Sequence, residues 1–260
     1  MSSEILVARG GDGTAVVTIA RPHRRNACDF AAWTGLKSAF EELSADTTAK
    51  LVVLTGAGGH FCAGDDLVAF ATVRDDPVMA PAWRARIQEC FAALQAMPKP
   101  VIAALSGVCV GGGCSLALCC DFRVADGTVR VGVPVAKLGL VYPTIQLQRL
   151  TALIGVSNAR RWVYAAGMHG SDECARVGFV DAVTDGDPVA AALGFGRDMA
   201  NAAPLAMAGA KAQFNALMAG EARERLPELD AMMRRADESE DFREAMRAFR
   251  EKRPPQFRGR

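Results

Sequence analysis

Three consecutive glycines in Val110-Gly111-Gly112-Gly113-Cys114-Ser115 constrain this chain more than any other feature, because they stand between a strand and an apolar helical run, Leu116 to Cys119. Glycine lets a backbone turn sharply and approach another group closely. At a helix start the unpaired N–H groups and the positive end of the dipole face outward, which favours an anion or a carbonyl oxygen gaining negative charge. Two readings follow: a tight strand-to-helix turn, or a backbone oxyanion hole.

The 260 residues, half of them apolar, suffice for one large core with a smaller appendage. Thirty basic residues against 29 acidic ones leave almost no net charge, so nothing global points to nucleic acid or a membrane surface. The tail from Arg250 to Arg260 is locally basic, fit either for a phosphate or for solvent. Met1 to Leu6 carries no secretory pattern, and no apolar run approaches the roughly 18 residues of a membrane span, so a cytoplasmic protein is expected. The eight cysteines sit mostly within apolar runs and lack metal-ligand spacing, which predicts reduced core thiols and no metal site.

Along the chain, β-prone and helical segments alternate. Ile5 to Ala8 and Ala15 to Ile19 form a predicted hairpin through Gly10-Gly11-Asp12-Gly13. A helix is predicted from Phe30 to Leu43 with Asp29 as N-cap, and another from Pro81 to Met97, stopped by Pro98-Lys99-Pro100. Leu51 to Leu54 and Val101 to Leu105 read as buried parallel strands. Phe122 to Ala125 reads as a strand and Gln146 to Ile154 as a helix. From Pro188 onward the pattern is helical only, with Leu226, Leu229, Met233, Phe242, Met246 and Phe249 near a helical repeat.

Several motifs then join into one pattern: Arg21-Pro22-His23-Arg24-Arg25-Asn26-Ala27, then Val53-Leu54-Thr55-Gly56, then Phe61-Cys62-Ala63-Gly64-Asp65-Asp66-Leu67. Pro100 to Leu118, Asp121, Gly139-Leu140, Ala175 to Asp181 and Phe249 to Pro254 continue it. In this order they resemble the crotonase family, also called the enoyl-CoA hydratase/isomerase superfamily, over essentially the whole chain.

The resemblance implies an α/β fold: a crotonase-like (ββα)n superhelix over residues 1–195 with the acyl-CoA site, and a helical oligomerisation segment over 196–260. It implies a homotrimer or a dimer of trimers, an acyl-CoA thioester whose CoA is part of the substrate, and no separate cofactor. By residue-wise matching, the thioester oxygen would be held by the N–H groups of Asp65 and Gly112. Arg24, Ala27, Ala63, Gly64, Asp66, Leu67 and Gly111 match positions lining the CoA, and Phe249 and Lys252 match tail residues that reach it, often from a neighbouring subunit.

The chemistry departs from the family pattern. The two glutamates that a hydratase of the family sets beside the hole correspond to Ser115 and Val135 here, and the usual isomerase carboxylate also falls on Val135. A serine can hydrogen-bond water but needs activation to act as a base, and a valine does neither. Each missing acid or base typically contributes 10²- to 10⁴-fold. Replacement groups could be Asp65, Asp66, Glu89, His60 or Tyr142, and Trp83, Met79 and Phe70 could border an acyl pocket or simply pack. Three functions stay open: enolate chemistry of the hydratase/isomerase type, a silent acyl-CoA carrier or sensor, or another reaction of the scaffold such as thioester hydrolysis or decarboxylation.

Overall fold

The computed structural model describes residues 4–260. Strands β1 (Ile5–Arg9) and β2 (Thr14–Ile19) pair antiparallel from Ile5 with Ile19 to Arg9 with Ala15, as the glycine-rich turn predicts. Gly10 N–H donates to the Thr14 carbonyl at 2.8 Å, and Asp12 Oδ1 accepts from Thr14 N–H and hydroxyl. Helix α1 (Phe30–Ala45) starts where Asp29 accepts from Ala32 N–H at 2.8 Å. It buries Trp33, Leu36, Phe40 and Leu43 at helical spacing.

Next come β3 (Leu51–Gly56), the short α2 (Leu67–Ala71) and α3 (Met79–Ala96). The chain continues through β4 (Val101–Leu105), β5 (Val108–Val110), α4 (Gly112–Cys119), β6 (Phe122–Asp126), β7 (Arg130–Gly132) and α5 (Thr144–Ala165). A large sheet of order β1-β2-β3-β4-β6-β9 is parallel from β2 onward, with β9 at Ala182–Thr184. A small sheet has the order β5-β7-β8, with β8 at Met168–Gly170. Successive turns of chain therefore place one strand in each sheet and then a helix: β4, β5, α4, then β6, β7, α5. This is the expected ββα repeat.

One core packs α1 and α3 against the large sheet, with Trp33, Phe40, Phe91, Leu54 and Leu105 buried. On the other face α7 (Pro188–Phe195) and α8 (Arg197–Ala200) set Ala192 and Ala200 against Leu51, Val53, Ile102 and Val124. The expected division at 195/196 falls between these two helices. All eight cysteines are buried and unpaired by disulfides.

Two sequence expectations need correction at their boundaries, and the C-terminal helical repeat resolves into separate helices. The helix expected to stop at Ile154 runs to Ala165, because Gly155 at φ 76° and ψ 154° ends one helical run and the next begins directly after it. The repeat from Leu226 to Phe249 is two helices, separated where the Ser239 hydroxyl accepts from Phe242 N–H at 3.0 Å and caps a new start. With α6 (Ser171–Arg176) and α9 (Pro204–Ala219) preceding them, these are α10 (Leu226–Asp237) and α11 (Glu240–Glu251). The α3 helix begins two residues before Pro81, since proline is tolerated in a first turn.

Candidate active site

The glycine turn joins β5 to α4, with Gly111 at φ 56° and ψ −116°, a conformation available to glycine and costly for other residues. The Cys62-to-Asp65 segment runs beside it. Val110 N–H donates to the Cys62 carbonyl at 3.0 Å, and Cys62 N–H donates to the Val108 carbonyl at 2.9 Å. Gly64 lies at φ 91°, and a Cβ there would stand 2.7 Å from both Gly112 N and the Val110 carbonyl oxygen. Only glycine permits this approach. It sets the Asp65 backbone directly beside the start of α4.

On the other side of that segment, Cys28 N–H donates to the Gly64 carbonyl at 2.7 Å and Asp66 N–H to the Cys28 carbonyl at 2.9 Å. Asp65 N–H lies between these bonds and Gly112 N–H lies in the first turn of α4. Among the described residues neither donates a hydrogen bond. Two unspent donors beside a helix N-terminus can hold an oxygen that gains negative charge.

Ser115 stands one turn into α4, buried, with its hydroxyl 2.7 Å from the Tyr142 hydroxyl. Ser115 Oγ also reaches the Gly111 carbonyl at 3.3 Å. Burial pushes the Tyr142 phenol well above its ordinary range, so both hydroxyls are neutral near pH 7. Val135 is half-buried in the 3-10 turn Pro134–Leu138, packed against the main core.

The carboxyl groups differ sharply in what holds them. Asp65 Oδ1 accepts from Trp33 Nε1 at 3.0 Å and Trp83 Nε1 at 2.8 Å. Burial raises the Asp65 carboxyl above its usual range against the pull of these two donors, and nearby Asp66 adds to the rise. Asp66 is buried, caps α2 through Ala69 N–H at 3.1 Å and pairs with Arg21 at 3.2 Å. Glu89 is exposed on α3 and pairs with Arg86 at 3.1 Å. His60 Nδ1 accepts from Val108 N–H at 3.2 Å, which ties the imidazole to the backbone.

Around the second indole, Phe30 and Phe70 set their ring centroids 5.9 and 5.6 Å from Trp83. Met79 is half-buried at the start of the same helix. The paired indoles above Asp65 come from two helices far apart in sequence, and the sequence offered no local signal for them.

Arg24 ends a 3-10 turn, Pro22–Arg24, and with Arg25 is exposed without an ion pair among the described residues. Ala63 N–H donates to the Arg25 carbonyl at 3.0 Å and Ala27 N–H to the Arg24 carbonyl at 3.1 Å, so Arg24, Ala27, Ala63, Gly64 and Asp66 belong to one loop cluster. Exposed Leu67 opens α2 from it. Phe249 is 81% exposed and Lys252 forms the left-handed end of α11. No hydrogen bond brings either to that cluster within one chain, as far as the described residues go. Cavities of about 480 and 420 Å³ lie elsewhere, around Arg149, Lys211 and Asn215. Among the described residues, no set of three or more His, Cys, Asp or Glu is placed to hold a metal, and no helix is long and apolar enough to cross a membrane.

Residues 9–260 match the family model described as enoyl-CoA hydratase/isomerase. The chain is 34% identical over 264 residues to the 2,3-dehydroadipyl-CoA hydratase of Escherichia coli strain K12, covering 99% of this chain and 100% of the relative. Among solved structures it is similar to an enoyl-CoA hydratase from Bacillus anthracis, with TM-score 0.91, 26% identity, and 99% and 100% of the two chains covered. An enoyl-CoA hydratase/carnithine racemase from Magnetospirillum magneticum gives TM-score 0.88 and 32% identity over 100% of this chain and 97% of the other.

Proposed function

The chain belongs to the enoyl-CoA hydratase/isomerase family, and on that footing we propose that it binds an acyl-CoA thioester and stabilises the thioester enolate between Asp65 N–H and Gly112 N–H. The observation that carries this reading is the pair of unspent N–H donors on two backbone segments packed together through Gly64. Fixed donors aimed at a developing oxyanion in a dry site are worth about 2.7–4 kcal/mol each. The α4 dipole adds to the same charge.

The CoA moiety lies along the Arg24–Ala27 and Ala63–Leu67 segments in this reading, with Arg24 or Arg25 toward phosphate. Phe249 and Lys252 act from a neighbouring subunit of a homotrimer or dimer of trimers. The exposed Leu226, Met233, Phe242 and Met246 on α10 and α11 suit such an assembly. A cytoplasmic setting fits eight buried, unpaired cysteines.

Ser115 and Tyr142 are a neutral hydrogen-bonded pair that can position water or a substrate oxygen. One feature favours a second reading, an acyl-CoA carrier without turnover: by matching of motifs, Ser115 and Val135 take the positions of the family's two glutamates. The deciding experiment incubates the purified protein with a panel of acyl- and enoyl-CoA thioesters in deuterated water and follows each thioester by mass spectrometry. Calorimetric titration of the same panel runs beside it. Deuterium uptake or hydration supports enolate chemistry, binding without any mass change supports the carrier, and absence of saturable binding ends both.

A further inference from the structure

We infer that the Asp65 side chain is itself the catalytic acid and base of this site, moving the proton at the substrate carbon next to the thioester. The inference rests on the enolate reading above. If Asp65 N–H holds the thioester oxygen, the Asp65 Cα sits at the edge of the hole and its carboxyl carbon is two bonds from that Cα. Trp33 gives a second tie between the carboxyl and the hole, because its indole N–H donates to Asp65 Oδ1 while its ring would lie 3.2 Å from a Cβ on Gly112.

The two carboxyl oxygens are not equivalent. Oδ1 takes both indole N–H groups, at 3.0 and 2.8 Å. Oδ2 takes no hydrogen bond among the described residues, and it is not among the fully buried side-chain atoms left without a partner, so it is not sealed off. A carboxyl fixed by one oxygen and free at the other is positioned and still able to exchange a proton.

No other carboxyl in the vicinity is so free. Asp66 is committed to Arg21 and the α2 cap, and Glu89 is exposed and paired with Arg86. The Tyr142 phenol is held neutral by burial, which suits a donor rather than a base.

The step balances within the site. The Asp65 carboxylate takes the α-proton, the C–H pair becomes the enolate C=C, and the carbonyl π pair moves onto the oxygen held by the two N–H groups. The carboxylic acid then returns a proton to carbon, and exchange with solvent between the two events replaces hydrogen with deuterium. No oxidant, reductant or metal is consumed.

Burial also holds this carboxyl above the usual aspartate range, which makes it a stronger base than a solvated aspartate. The charged groups around it are few. Asp66 on its own segment is paired with Arg21; on α3, Arg84 lies over Phe70 and Arg86 over Phe30; on α1, Lys37 is paired with Glu41.

The test is α-proton exchange in deuterated water as a function of pH, with acyl-CoA affinity measured by calorimetry on the same samples. Asp65→Asn keeps the backbone N–H and an oxygen for both indoles. It is expected to bind acyl-CoA within about threefold of the parent while exchange falls by roughly 100-fold or more. The parent's rate should rise along a limb centred above the ordinary carboxylate range, and Trp83→Phe, which removes a donor to the charged form, should move that limb to higher pH. Exchange by Asp65→Asn at the parent rate overturns the inference, as does a parent that binds but exchanges nothing. If Asp65→Asn does not fold, a parent limb that Trp83→Phe leaves in place overturns it equally. Loss of acyl-CoA binding by the parent would instead overturn the enolate reading, so the two failures are distinct.

Discussion

The hydroxyls of Ser115 and Tyr142 meet at 2.7 Å across 27 residues of sequence, tying the first turn of α4 to the loop before α5. The contact is buried on both sides, and Ser115 keeps a second acceptor in the Gly111 carbonyl at 3.3 Å. Tyr142→Phe therefore removes this bond and the longer one from the Tyr142 hydroxyl to the Gly111 carbonyl at 3.5 Å, and orphans nothing. It should cost about 1 kcal/mol, seen as a fall in Tm of about 2–4 °C. If the pair positions a reacting group, turnover should drop roughly tenfold, the worth of about 1.4 kcal/mol in the barrier. Because burial raises the folded phenol, its contribution to stability is present below about pH 10 and is lost above it, as the unfolded chain releases the proton first. A tyrosine absorbance titration should accordingly find Tyr142 un-ionised until the protein unfolds.

Gly64→Ala tests the close approach that sets Asp65 beside α4. At φ 91°, with Gly112 N and the Val110 carbonyl oxygen 2.7 Å from the new Cβ, strain and overlap act together against rigid backbone. Urea unfolding should report a loss of at least about 2 kcal/mol, and acyl-CoA binding should go with it. Gly11→Ala is the control, with no atom within 4 Å of the added Cβ and no positive φ. Its stability should stay within about 0.5 kcal/mol of the parent.

These two sites mark where sequence reasoning reached and where it stopped. The glycine turn, the Asp29 cap and the Pro98-Lys99-Pro100 stop act on their own neighbours, so residue type alone reveals them. The short β7, β8 and β9 span three residues each and carry no readable period. Gly155 carries the signature of a helix stop, yet a second helical run follows at once. Asp65 could be named from its motif. That Trp33 and Trp83 share one of its oxygens depends on how α1 and α3 cross, which no local spacing records.

Arg21 is the hub of the loop proposed to carry CoA. Buried, it reaches Glu4 at 2.7 Å, Asp66 at 3.2 Å, and Asp29. Arg21→Met leaves Asp66 buried without its cation and should destabilise by about 3–5 kcal/mol, measured by urea unfolding at pH 7. The pH dependence should change as well. Burial pushes the Asp29 carboxyl up, but Ala32 N–H and Arg21 outweigh it and hold it below its usual range. That contribution is present above the unfolded value and is lost as pH falls through the folded one. Without Arg21, the decline below about pH 4 should flatten.

Asp65 has the opposite sign. Its folded carboxyl sits above the unfolded value, chiefly through burial, so the fold binds its proton more readily than the unfolded chain does. The resulting stability is present in full below the unfolded value, about pH 3.9, and is lost as pH rises through the folded value. At pH 7 the charged carboxylate is thus a cost to the fold, which the indole N–H groups of Trp33 and Trp83 only partly offset. Asp65→Asn removes the charge and retains an oxygen for both indoles. Thermal unfolding should show the variant more stable than the parent at pH 7, with the difference shrinking toward zero as pH falls below the unfolded value. A variant less stable than the parent at pH 7 would mean that the indole bonds outweigh burial and that this carboxyl is held for structure. Stability gained by removing the charge, together with proton exchange lost, is the signature of a carboxylate retained for its chemistry.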